Sequence, residues 1–148
     1  MEPAARLAAI EDIKVLKANY FLGVDTQDWD LLRQGVFIPE TIFDLPENGP
    51  EPINGAETIL KFFSAALEGK VTVHHGHMPI IEVTSDATAT GLWAMEDRVH
   101  ATPDNPLGDA TYLHGFGHYH ENYVKTDAGW RIARFKLTRI RVETTRVA

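Results

Sequence analysis

The chain has 148 residues, 44% hydrophobic and 24% charged, the balance of a globular domain with a real core rather than of a disordered or fibrous protein. Lys and Arg total 14 against 21 Asp and Glu, so the formal net charge of -7 has the wrong sign for a generic phosphate-backbone binder. With no cysteine, disulfides, thiolate-bound zinc, iron–sulfur clusters and a Cys nucleophile are excluded together.

From Pro3 to Leu22 the apolar residues Leu7, Ile10, Ile13, Leu16 and Tyr20 recur at steps of three and four. Glu11, Asp12, Lys14 and Lys17 fall between them, which predicts an amphipathic helix of about five turns. Pro3 suits the first turn, Gly23 can end the helix in a left-handed conformation, and Asp25 then falls just past it. Asp28 can cap a short second helix through Trp29, Leu31 and Leu32. Pro39, Pro46, Pro50 and Pro52 break up the next stretch of chain and leave room for a short strand at Thr41 to Leu45. Asn54 and Gly55 open a third helix with an apolar face of Ile59, Phe62, Phe63, Ala66 and Leu67, closed by Gly69.

From Val71 the period changes. Val71 to His74, Ile80 to Thr84, Ala87 to His100, Thr111 to Lys125 and Gly129 to Thr144 are strand-like, separated by Ser85-Asp86, the Pro103 to Gly108 loop and Asp127-Ala128-Gly129. Helices followed by a meander of long antiparallel strands read as α+β. No repeat, low-complexity tract or interdomain linker interrupts the pattern, and residues 1–148 read as a single domain. Met1 to Ile10 lacks the apolar segment of a signal peptide, and no later run is apolar enough to span a bilayer. A cytoplasmic protein with neither membrane nor nucleic acid among its partners is the expectation.

Strand parity isolates two charges. Ala89, Gly91, Trp93, Met95, Asp97 and Val99 share one face of their strand, which puts Asp97 on the apolar side. In the last strand Ala133, Phe135, Leu137 and Arg139 share a face, so Arg139 keeps similar company. A buried charge costs several kcal/mol unless paired, so these two need each other or a ligand.

The segments Asn19 to Asp25, His74-His75-Gly76-His77-Met78-Pro79, Ala87 to Arg98 and Gly129-Trp130-Arg131-Ile132 resemble the bile-acid 7α-dehydratases over nearly the whole chain. Those enzymes belong to the polyketide-cyclase-like (SnoaL-like) branch of the nuclear-transport-factor-like superfamily, with scytalone dehydratase and ketosteroid isomerase. The resemblance implies a cone-shaped, curved, mostly antiparallel sheet packed against the N-terminal helices around an apolar pocket. Position by position, it implies catalytic roles for Tyr20, Asp25, His74, Asp97 and Arg139. The Thr102 to Asp109 loop and the run His114, His118, His120 depart from the bile-acid pattern, so reaction type carries over further than substrate.

The chemistry of those residue types agrees. Imidazole moves protons near neutral pH, and a carboxylate on its second nitrogen fixes the tautomer, so His74 with Asp25 could form a dyad. Tyr20 could donate to an oxygen as charge develops there, or be a core tyrosine; Asp97 and Arg139 either brace the pocket or hold a polar group of the substrate. Trp93, Met95, Phe116, Phe135 and Leu137 are the expected pocket lining. The expected function is a cofactor-independent lyase, a dehydratase, acting on a small apolar cyclic substrate such as a steroid-like or polyketide-like ketone or alcohol, with no metal and no organic cofactor. An isomerase or cyclase using the same dyad, or a non-catalytic ligand-binding or assembly module, are the alternatives. Relatives of this kind imply a homo-oligomer, trimer or dimer.

One competing pattern points to metal. Gly69, His75, His77 and Glu82 match the first metal motif of cupins, and His118 with Asn122 echoes the second. The closing glycine is displaced to Gly91, and two substantial helices before Val71 suit a jelly roll poorly. Strict alternation also sends His74 to one face and His75 with His77 to the other, unless Gly76 and Pro79 host a bulge. Walker, dinucleotide-glycine and G-x-S-x-G motifs are absent from the sequence.

Overall fold

A computed structural model describes residues 2–146; Met1, Val147 and Ala148, the ends of the expected single domain, lie outside the described residues. The chain opens with α1 (Pro3–Asp25), α2 (Trp29–Leu31) and a wide turn over Leu32–Val36. Strands β1 (Phe37–Asp44) and β2 (Ile53–Asn54) and helix α3 (Ala56–Leu67) come next. The rest is four long strands, β3 (Val71–Val83), β4 (Thr88–His100), β5 (Ala110–Thr126) and β6 (Gly129–Arg146). They form a curved, unclosed six-stranded sheet in the order β2-β1-β6-β5-β4-β3. All pairings are antiparallel except β1 with β6. No helix among the described residues is long and apolar enough to cross a membrane.

Three local readings change. Helix α1 continues through Gly23 to Asp25, making Asp25 its last residue rather than a loop residue. Gly23 is needed for closeness, since a Cβ there would meet the Leu32 side chain at 2.6 Å. The short strand at Thr41 to Leu45 is really Phe37–Asp44, because Pro39 sits where the register with β6 shifts, between Phe37 and Ile42. Val71–His74 and Ile80–Thr84 merge into β3, whose register with β4 slips between His77 and Ile80, where Met78 takes φ 35°. Asp28 caps α2 as expected, accepting from the Leu31 backbone N–H at 3.0 Å.

The inner sheet face packs on α1 and α3. Phe135 is fully buried, stacked 4.3 Å from Phe43 and edge-on to Tyr20 at 5.6 Å. Burial of one such side chain contributes about 1.5–3 kcal/mol. Lys17, expected on the polar side of α1, is instead wholly buried. It forms an ion pair with Glu121, and its Nζ lies 3.6 Å from the centre of the Tyr119 ring and 4.1 Å from that of Tyr20. Burial lowers the Lys17 pKa, and the Glu121 charge partly offsets this. Glu121 also accepts the Tyr123 hydroxyl, which in turn accepts Trp93 Nε1 at 2.9 Å, so this polar network is satisfied through β4 and β5.

Candidate active site

The C-terminal end of α1 abuts β3, and there Asp25 meets His74. Asp25 Oδ1 lies 2.6 Å from His74 Nδ1 and accepts the Thr72 hydroxyl at 2.9 Å; Oδ2 accepts the His74 backbone N–H at 2.9 Å. Three donors from one strand thus fix the carboxylate. With Asp25 acting only as acceptor, the Nδ1 proton belongs on His74, and Nε2 is the nitrogen left to accept a proton. The Phe21 ring lies nearly parallel to the imidazole, 15° from its plane and 6.3 Å away between centroids.

Register brings the next pair alongside. His74 is opposite Asp97 on β4, and Asp97 is opposite Gly115 on β5. Arg139 reaches this row from β6 and grips Asp97 with two N–H groups, Nη1 to Oδ1 at 2.5 Å and Nη2 to Oδ2 at 2.9 Å. A Cβ at residue 115 would fall on both charged groups, so glycine is what leaves them room. Arg139 also reaches Glu47, with Nε 3.4 Å and Nη2 3.5 Å from Oε1. Burial works against the guanidinium charge, but Asp97 and Glu47 outweigh it and raise the Arg139 pKa.

Tyr20 and Tyr119 complete the polar end of a cavity of about 490 Å³, whose walls include Val24, Phe62, Ala66, Leu67, Leu107, Leu113 and Leu137. Burial drives both phenols above their ordinary range; hydrogen bonding with Tyr119 draws Tyr20 the other way. Both therefore remain neutral O–H groups at physiological pH.

Four of the five expected residues, Tyr20, His74, Asp97 and Arg139, line this cavity, and Asp25 stands behind His74. The expected hydrophobic lining needs correction, for only Leu137 reaches the cavity. Trp93, Met95 and Phe135 share the inner face but are consumed by packing, with 6%, 3% and 0% exposure under α1 and its neighbours. Phe116 points to the outer face, where it lies 4.3 Å from the His114 ring. The other walls come from Val24 of α1, from Val99 and Leu113 of the sheet, and from α3, the end of β1 and the loop before β5, and the reach of these last three over the sheet has no signature in strand parity.

The other histidines lie apart from this site. His75 and His77 share the outer face, each with a nitrogen 3.9 Å from Glu96, while His114 stands 3.7 Å from the same carboxylate. Arg98 already occupies Glu96 at 3.3 Å, and no group of three or more His, Asp or Glu among the described residues has the geometry to hold a metal ion. His120 bonds Thr138 at 3.0 Å. Sequence reading missed Thr72, Tyr119 and Glu47. Thr72 and Tyr119 could have been found by parity, two residues before His74 and opposite Trp93; Glu47 carries no local signal.

Fold and site together define an α+β cavity protein with a His–Asp pair and a buried Arg–Asp pair at one end of an apolar pocket. The chain belongs to the SnoaL-like domain family, whose pattern matches residues 5–136. Its structure is similar to a scytalone dehydratase-like protein from Novosphingobium aromaticivorans, with TM-score 0.84 and 17% identity over 99% of this chain and 94% of that one. A hexachlorocyclohexane dehydrochlorinase, LinA type 3, from Novosphingobium barchaimii gives 0.80 and 16% identity over 97% and 94%. A nuclear transport factor 2-like protein from Salmonella enterica gives 0.75 and 19% identity over 89% and 91%. At these identities the likeness defines the fold, and the chemistry rests on the site.

Proposed function

We propose that the protein is a cofactor-independent lyase that removes water from a cyclic, steroid-like or polyketide-like hydroxy ketone. The observation that carries this reading is the Asp25–His74 pair, 2.6 Å apart, at the wall of a cavity that also holds two un-ionised phenols. In the proposed reaction His74 Nε2 takes the proton from the carbon beside the substrate carbonyl, while the Tyr20 hydroxyl donates to the carbonyl oxygen as negative charge gathers there. The C–O bond to the neighbouring carbon then breaks, and the imidazolium returns its proton to the departing hydroxide. One water leaves, a carbon–carbon double bond remains, and His74 ends as it began. Asp25 keeps the imidazole in the productive tautomer and stabilises its cation. Solved relatives named for a dehydratase and a dehydrochlorinase support an elimination on this scaffold. The cavity volume suits a ligand of two to four fused rings, within the usual range of small-molecule sites.

The test is a panel of cyclic β-hydroxy ketones and their β,γ-unsaturated counterparts, monitored by the absorbance of the conjugated enone. Turnover of the hydroxy ketones supports the lyase. Turnover of the unsaturated ketones alone makes the same dyad an isomerase.

A further inference from the structure

Arg139 has no donor left for a substrate. A guanidinium carries five N–H groups. Here Asp97 takes one from each terminal nitrogen, Glu47 takes Nε–H and the second proton of Nη2, and the remaining proton of Nη1 faces Met95 Sδ at 4.0 Å. The charges lining the cavity are then two carboxylates, Asp97 and Glu47, against one guanidinium already shared between them, with the Asp25 carboxylate behind His74 and no lysine among the lining residues. Asp97 is 4% exposed and cannot turn outward. Glu47 differs: it sits on the one-turn helix Pro46–Asn48 that follows β1, its side chain is 40% exposed, and its bonds to Arg139 are long. Glu47 is the member of the triad whose charge decides what the solvent-facing end of the cavity admits.

We propose that Glu47 is a specificity-determining residue, closing the donor set of Arg139 so that the cavity selects uncharged ring compounds over those bearing a carboxylate or phosphate. An anion entering here would meet Glu47 and Asp97 without an unpaired cation, and would have to displace Glu47 to gain one. A neutral ring with a single ketone or hydroxyl loses nothing, since Tyr20, Tyr119 and His74 address that oxygen. The inference rests on the reading of this cavity as the place where a cyclic substrate binds, and it narrows that substrate to neutral molecules.

The test compares binding of 2-naphthol and 2-naphthoate, one ring system with and without a carboxylate, by tryptophan fluorescence quenching at pH 7.5 and low salt. Wild type is expected to bind the naphthol at least tenfold more tightly. Glu47→Gln keeps an acceptor for Arg139 but removes the charge; it is expected to tighten naphthoate five- to tenfold and leave naphthol within twofold. Equal affinities in wild type, or an unchanged ratio in Glu47→Gln, overturn the proposal. Parallel weakening of both probes reduces Glu47 to a structural brace and overturns it too, as does failure of the naphthol to bind or of Glu47→Gln to gain naphthoate binding. Because binding needs no turnover, a protein that shows the selectivity but dehydrates nothing leaves this inference standing and removes the lyase reading. Dehydration of anionic and neutral ketones alike does the reverse.

Discussion

Replacing Asp25 by Asn alters one atom and inverts the hydrogen-bond logic behind His74. The carboxylate accepts three protons, from Thr72 Oγ1, the His74 backbone N–H and, by geometry, His74 Nδ1. An amide can accept on one side only. Its oxygen must stay on the backbone N–H, which cannot turn away, and its NH₂ then faces Thr72 and Nδ1. His74 must present a lone pair at Nδ1 and carry its proton on Nε2, on the cavity side, where the base is needed. Losing the charge-assisted bond weakens the imidazolium by about 1–2 kcal/mol, the difference between charged and neutral hydrogen bonds, or about 5- to 30-fold in rate. The wrong tautomer adds the larger part, and in serine proteases the corresponding change lowers kcat about ten-thousandfold. The expected loss here is about a thousandfold to ten-thousandfold in kcat, with a melting point shift of only about 2–8 °C. Two-dimensional ¹⁵N–¹H correlation of the imidazoles reads the tautomer without any substrate. An Asp25→Asn protein whose His74 still carries its proton on Nδ1, or whose kcat stays within threefold of wild type, refutes this reasoning.

Burial and pairing set three further outcomes. Lys17→Met strands the Glu121 carboxylate in the core and is expected to cost about 3–5 kcal/mol in urea unfolding, with most of it regained in Lys17→Met/Glu121→Gln; a single-variant cost below about 1 kcal/mol contradicts the buried pair. Gly115→Ala drives a methyl into the Asp97–Arg139 contact and is expected to lose about 1–3 kcal/mol and to part the two groups in a crystal structure; an unmoved pair contradicts the close fit. Burial raises the pKa of Tyr20, Tyr119 and Tyr123, so the folded state holds these protons more tightly than the unfolded chain. The stability they lend is complete below about pH 10, the unfolded phenol value, and is lost as pH rises above it. In an alkaline ultraviolet titration these three of the four tyrosines should ionise only together with unfolding, and separate earlier ionisation would contradict their burial.

What the sequence disclosed and what it hid divide along physical lines. Period-2 and period-3.6 patterns located the helices and long strands and flagged Asp97 and Arg139 as charges on apolar faces. That is the information a single element carries in its own spacing. Proximity between elements was another matter. Lys17 lies four residues after Ile13 and three before Tyr20, on the stripe that α1 buries, but its charge reads as polar and the partner that permits its burial, Glu121, is 104 positions away. Asp25 and His74 are 49 apart and were connected by resemblance to a family, not by spacing. The same limit explains the pocket error. Trp93, Met95 and Phe135 face inward, yet an inward side chain can meet either a helix or empty space, and only the placement of α1 and α3 separates core from wall. The parallel pairing of β1 with β6 was hidden behind Pro39, whose bulge masks the strand's period.

In the proposed mechanism the imidazole of His74 moves the proton in an elimination inside this cavity. The direct test is kcat for enone formation from a cyclic β-hydroxy ketone with wild type and with His74→Gln, which keeps polarity and similar bulk but cannot shuttle a proton. The expected result is measurable turnover by wild type and a loss of at least a thousandfold in His74→Gln, with naphthol binding retained within a few-fold. A His74→Gln protein that dehydrates the ketone within tenfold of wild type would contradict this role for the imidazole.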